Sequence, residues 1–120
     1  MAKARILIVD DDQSVRDALK RWFDLHGFTA DEAEDGLDAV NKCAYSEYDA
    51  ILTDLEMPRM GGLEAMARIR GLLPGVPVVV LTGYGDMLNE GLLSNPSKVL
   101  FKPVPLREIE KAVRELLAPP

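Results

Sequence analysis

Cysteine is nearly absent from the 120 residues: Cys43 stands alone. That excludes an intrachain disulfide and any multi-thiolate metal site, and it fits a reducing compartment, the cytoplasm. The residue itself reads as a small buried hydrophobe. Long apolar runs are missing as well. The stretch after the N-terminus holds a few apolar residues before three aspartates, far short of the ~20 needed to span a membrane, so neither export nor anchoring is expected. Positive charge is scarce, with 14 basic residues against 20 acidic ones and a net charge of −6. The Lys and Arg side chains do not cluster, so no nucleic acid is expected to bind through this chain. Repeats and low-complexity tracts are also lacking.

What remains is a chain about half apolar and somewhat more than a quarter charged, the composition of an ordinary globular protein. Its length suits one domain, residues 1–120, and leaves no room for a linker and a second unit. Ile6 to Val9, Ala50 to Leu52 and Val76 to Leu81 are short apolar runs rich in β-branched residues, which predicts strands buried on both faces and hence parallel. Phe28 to Glu32 and Val99 to Phe101 are weaker strands. Between them, Val15, Ala18, Leu19, Trp22 and Phe23 recur at helical spacing, with Gly27 as a stop. Leu37, Val40 and Ala44 mark a second helix, and Leu63, Met66, Ile69 and Leu72 a third. Gly85, Asn89, Gly91, Asn95 and Pro96 predict a short or irregular fourth helix. Leu106, Ile109, Val113, Leu116 and Leu117 make the closing one. Five strands alternating with five helices give an α/β fold, a doubly wound parallel sheet with right-handed crossovers.

In such sheets ligands gather beyond the carboxyl ends of the strands. The residues found there are Asp10, Asp11 and Asp12 after the first strand, Asp54 after the third, Thr82 after the fourth and Lys102 after the fifth. Asp12 alone has an ordinary explanation as a helix cap. Asp10, Asp11 and Asp54 together do not, because like charges ~4 Å apart repel by about 4 kcal/mol at an effective dielectric near 20. A hard divalent cation with oxygen ligands offsets that repulsion best, and Mg²⁺ fits the donor set. With Lys102 and a hydroxyl beside it, this is the equipment of phosphoryl transfer to a carboxylate, giving a labile acyl phosphate.

The segments ILIVDDD at 6–12, ILTDLEMPRMGG at 51–62, VVVLTGYG at 78–85 and FKPV at 101–104 resemble, in order and spacing, the receiver domains of bacterial two-component response regulators (the CheY-like superfamily), over essentially the whole chain. The resemblance implies a flavodoxin-like sheet of strand order 2-1-3-4-5. It implies Asp54 as phosphoacceptor, Asp11 as direct metal ligand, Asp10 acting through a metal-bound water, and the Glu56 backbone carbonyl as a further ligand. Thr82 corresponds to the switch hydroxyl, Lys102 to the lysine that pairs with the phosphoryl group, Gly62 to the glycine before the next helix, and Lys102-Pro103 to a cis bond. The cofactor implied is Mg²⁺, with Mn²⁺ able to substitute. The implied partners are a sensor histidine kinase or histidine phosphotransfer domain and an unidentified downstream effector, with the chain a monomer or weak homodimer. Catalysis would be limited to self-phosphorylation and autodephosphorylation.

Some positions depart from the family pattern. Val99 stands where an aromatic usually swings inward, so a rotating ring cannot be the lever there; Phe101 and Tyr84 are substitutes, with core or rim roles the simpler reading. His26, beside Gly27, reads as a solvated imidazole favoured by the helix dipole. A phosphatase of the haloacid-dehalogenase type shares the Asp10-x-Asp12, Thr82 and Lys102 pattern. It needs a further acidic pair, whereas Glu108, Glu110 and Glu115 fall in the closing helix, and it leaves Asp54 unexplained. A receiver-like scaffold that accepts no phosphate is the other alternative.

Overall fold

The computed structural model describes residues 3–54, 62–83 and 98–118. The elements run β1 (Ala4–Val9), α1 (Gln13–Leu25), β2 (Phe28–Ala33), α2 (Gly36–Tyr45), β3 (Ala50–Asp54), α3 (Gly62–Leu72), β4 (Val78–Thr82), β5 (Lys98–Phe101) and α4 (Leu106–Leu117). All strand pairings are parallel, in the order β2-β1-β3-β4-β5. The expected irregular helix between the fourth and fifth strands falls on residues 84–97, outside the described residues. Tyr84, Glu56 and the Met57-Pro58 turn lie outside them too. Asp54 and Thr82 are the last residues of their strands rather than the first after them.

Alternation along the strands divides the core into two layers. Ile6 and Ile8 point to the layer holding Leu19 and Phe23 of α1 and Ile109 and Val113 of α4. Leu7 and Val9 point to the opposite layer, with Ala39 and Cys43 of α2 and Met66 and Ile69 of α3. Val15 and Trp22 of α1 and Leu106, Leu116 and Leu117 of α4 pack at the margin of the first layer. The second helix is rotated from the expected phase: Gly36, Ala39 and Cys43 are buried, while Leu37 is 40% exposed. Small side chains let α2 close against the sheet, and the larger Leu37 is left on the outer side. Leu72 is likewise exposed, and Leu73 packs instead.

Side chains set the helix starts. Asp12 caps α1 by accepting the Ser14 N–H at 2.9 Å and its hydroxyl at 2.6 Å; Asp35 caps α2 by accepting the Asp38 N–H at 2.8 Å. Each cap stabilises its helix by about 0.5–2 kcal/mol. Past the end of α1, Gly27 takes φ +91°, a conformation that favours glycine. His26 stacks on Trp22 and donates its Nδ1 proton to the Trp22 carbonyl oxygen at 2.6 Å.

The outer edge of β2 is covered by side chains. Lys20 of α1 donates to the Ala30 carbonyl at 2.6 Å, and Asp24 accepts the Ala30 N–H at 3.0 Å. From the opposite face of the sheet, Lys42 of α2 donates to the Glu32 carbonyl.

Candidate phosphoacceptor and metal site

Strand register assembles the site. Val9 lies opposite Thr53, so the next residues, Asp10 and Asp54, stand side by side where β1 and β3 end. Asp54 lies opposite Leu81, so Thr82 is one step further along β4. Thr82 in turn lies opposite Phe101, and the Lys102 N–H donates to the Thr82 carbonyl at 2.8 Å. Neighbouring strands are ~4.8 Å apart, which leaves four functional side chains on one short stretch of sheet edge.

The side chains converge as expected for Asp10, Asp11 and Asp54, whose carboxylates each offer an oxygen within 4.8 Å of the others. Asp10 and Asp54 are buried, and Asp11 is exposed. Lys102 joins them, its Nζ 2.7 Å from Asp54 Oδ2 and 4.0 Å from Asp10 Oδ2. Among the described residues, three carboxylates against one ammonium leave the cluster two negative charges in excess, the amount a divalent cation neutralises. All the offered side-chain atoms are hard oxygens, the donor type that Mg²⁺ and related ions prefer. The cluster can therefore hold a metal ion.

The charges of the cluster also act on one another. Burial pushes the Asp10 carboxyl above its ordinary range; the Asp12 N–H donated to its Oδ1 at 2.9 Å opposes that, the Asp54 charge adds to it, Lys102 lowers it, and Asp11 raises it again. For Lys102, burial alone would favour the neutral amine, but the hydrogen bond and charge of Asp54, with Asp10 and Asp11, outweigh it and raise the pKa. The ammonium is thus held charged beside the carboxylate it touches.

Thr82 is 1% exposed at the end of β4. Glu56 lies outside the described residues, so its carbonyl is not placed. The Lys102-Pro103 bond is cis, as the resemblance implied. Phe101 is 55% exposed on β5, which excludes a core role and leaves a rim one, while Val99 packs at the margin of the α2–α3 layer. Glu110 accepts from Trp22 and Arg114, and Glu115 pairs with Lys98, so these acids of the closing helix are engaged elsewhere and give the phosphatase reading no second acidic pair. One residue escaped the sequence reading: Arg16, whose guanidinium donates to the Asp10 carbonyl at 2.6 Å. Its position on α1, four residues past a helix cap, gives no sign of this.

A parallel five-stranded sheet with an acidic triad and a lysine at its carboxyl edge defines a phosphoacceptor type of domain, and the comparisons agree. Residues 6–114 match the response regulator receiver domain, so the chain belongs to that family, whose place is in two-component signalling. It is 38% identical over 116 residues to the response regulator MprA of Mycobacterium tuberculosis, covering 94% of this chain and 50% of MprA. The chain thus spans about half the length of the curated relatives it matches. Among solved structures, the chemotaxis protein CheY4 of Vibrio cholerae superposes with a TM-score of 0.88 at 28% identity, covering 97% of this chain and all of that one. The receiver domain of the sensor histidine kinase PA1611 of Pseudomonas aeruginosa gives 0.81 at 31% identity, covering 97% and 98% of the two chains; it carries a magnesium ion in its active-site cleft. Among the described residues, no helix is long and apolar enough to cross a membrane.

Proposed function

We propose that residues 1–120 form a single receiver unit that accepts a phosphoryl group on Asp54 from a phosphohistidine of a sensor histidine kinase or phosphotransfer domain. The observation that carries this is the contact of Lys102 with Asp54 at 2.7 Å inside an acidic triad. Mg²⁺ is the proposed cofactor, Mn²⁺ its substitute, held by Asp11 and Asp54, by Asp10 through water, and by the Glu56 carbonyl. When bound, the cation neutralises phosphoryl oxygens and lowers the barrier to attack. An Asp54 oxygen attacks phosphorus in line, the phosphorus–nitrogen bond breaks, and the imidazole leaves with the electron pair and takes up a proton. Lys102 then turns from the carboxylate to an oxygen of the new group, and the Thr82 hydroxyl donates to another. The added charge gives Thr82 and Lys102 a new partner, repacking the surroundings of Val99.

An apolar groove lined by Val15, Leu19, Val104 and Leu106 opens beside Lys102 between α1 and α4, next to the carboxyl edge of the sheet where a phosphohistidine would be presented. The chain acts as a switch and turns over no separate substrate. We assign it to the cytoplasm, as a monomer or weak homodimer, signalling to an effector that its own residues do not identify. The deciding experiment incubates the protein with Mg²⁺ and a small acyl phosphate and reads the intact mass. One added phosphoryl group, absent in Asp54→Asn, is the expected result. An adduct that persists in Asp54→Asn refutes the assignment, and no adduct in the unaltered protein favours a scaffold.

A further inference from the structure

The polar groups of Asp10 are held from several directions. Its N–H donates to the Ala33 carbonyl at 3.1 Å, its Oδ1 accepts the Asp12 N–H at 2.9 Å, and its carbonyl accepts from Arg16 at 2.6 Å. That carbonyl belongs to the peptide group joining Asp10 to Asp11, and a peptide group is a rigid plane. Holding its oxygen fixes the direction of the Asp11 N–H, and with it the frame from which the exposed Asp11 carboxylate projects. The Arg16 side chain is 13% exposed, and its Nε lies 3.6 Å from Glu32 at the end of β2. A planar guanidinium that donates to the Asp10 carbonyl while paired with the Glu32 carboxylate is well suited to holding that backbone group in one orientation. Because Glu32 offsets the guanidinium charge, the contribution of Arg16 to the acidic triad is geometric more than electrostatic.

We propose that Arg16 is a positioning residue for the divalent cation, orienting the Asp10–Asp11 peptide plane and so placing the Asp11 carboxylate. This rests on the reading of the acidic triad as a metal site. Groups that orient metal ligands typically change affinity by about 10- to 100-fold when removed. The test is Mn²⁺ affinity, from paramagnetic resonance of the free ion, together with thermal unfolding in chelator and amide resonances of the metal-free protein. Arg16→Met keeps the stem packed on α1 and removes the donors. It is expected to bind Mn²⁺ about tenfold more weakly, with the Asp11 and Asp12 amide resonances displaced before any metal is added. Arg16→Lys cannot serve Asp10 and Glu32 together and is expected to fall between, about threefold weaker than the parent. Lower stability in chelator with parental Mn²⁺ affinity overturns the proposal, since that is the behaviour of a strut between helix and sheet. Where Arg16→Met does not fold, Arg16→Lys decides, and parental affinity in it overturns the proposal. Failure of the unaltered protein to bind Mn²⁺ would instead remove the metal reading itself.

Discussion

Replacing Asp10 with asparagine removes a buried charge from the site yet keeps an oxygen to accept the Asp12 N–H. Oxygens of Asp11 and Asp54 lie within 4.8 Å of those of Asp10, and at an effective dielectric near 20 each such neighbour repels it by about 3.5 kcal/mol. Lys102, 4.0 Å away, attracts it by about 4 kcal/mol on the same scale. Its side chain is 39% exposed and already bonded to Asp54, so solvent screening reduces that share. The two repulsions together, about 7 kcal/mol on this scale, exceed that attraction, so the neighbouring charges add to the cost of burial, the largest influence on Asp10. Asp10→Asn should therefore stabilise the metal-free protein at neutral pH by about 1–3 kcal/mol, an increase of roughly 4 °C or more in melting temperature. The pH dependence follows from the raised pKa. The contribution of Asp10 to folding is fully present below its unfolded value of 3.8 and is lost as pH rises through the higher folded value. The advantage of the variant is accordingly largest at neutral pH and shrinks in acid. Mg²⁺ should invert the order, because a ligand at 100 times its dissociation constant adds about 2.7 kcal/mol to a protein that binds it, and the variant binds it more weakly. Melting curves in chelator and in excess Mg²⁺, at neutral and acidic pH, read all of this. A variant that melts at or below the parent in chelator at neutral pH refutes the reasoning.

Other outcomes follow from the same geometry. Asp11→Asn, at an exposed position, should leave stability within about 0.5 kcal/mol while abolishing Mg²⁺ binding by calorimetry; retained affinity removes Asp11 from the ligand set. Lys102→Ala should still accept the phosphoryl group, by intact mass, but lose the shift of amide resonances in and after β4; unchanged shifts count against its switching role. Phe23, fully buried against α4 and the sheet, should cost about 3–5 kcal/mol on truncation to alanine in urea unfolding. Gly27→Ala meets no atom within 4 Å of the added carbon, so only the left-handed backbone opposes it, at about 1–2 kcal/mol, with Gly27→Asn milder.

The strands were legible because a sheet buried on both faces writes itself as continuous β-branched runs, and Val78 to Leu81 shows it most plainly. The acidic triad was legible for a related reason: register in a parallel sheet follows from where those runs begin, so Asp10 and Asp54 had to meet. The α2 phase was not, since Gly36, Ala39 and Cys43 carry little hydrophobic signal, and their burial is decided by how closely the helix approaches the sheet. Arg16 was missed because its partner is a backbone oxygen, and a carbonyl leaves no mark on a sequence. For Phe101 the sequence left core and rim open, and its 55% exposure on a strand at the margin of the sheet decides for the rim.

The covered margin of β2 has a consequence for how these molecules behave at high concentration. In a parallel ladder, alternate residues turn their backbone groups outward, and an unpaired row of them is a template on which another chain can zip. Here a newcomer would find the Ala30 amide and carbonyl and the Glu32 carbonyl already taken by Asp24, Lys20 and Lys42. It would have to strip two ammonium groups and a carboxylate from their hydrogen bonds before making its first rung. Helices from opposite faces of the sheet reach around to do this, so the same side chains that finish the fold also stop the sheet from growing sideways.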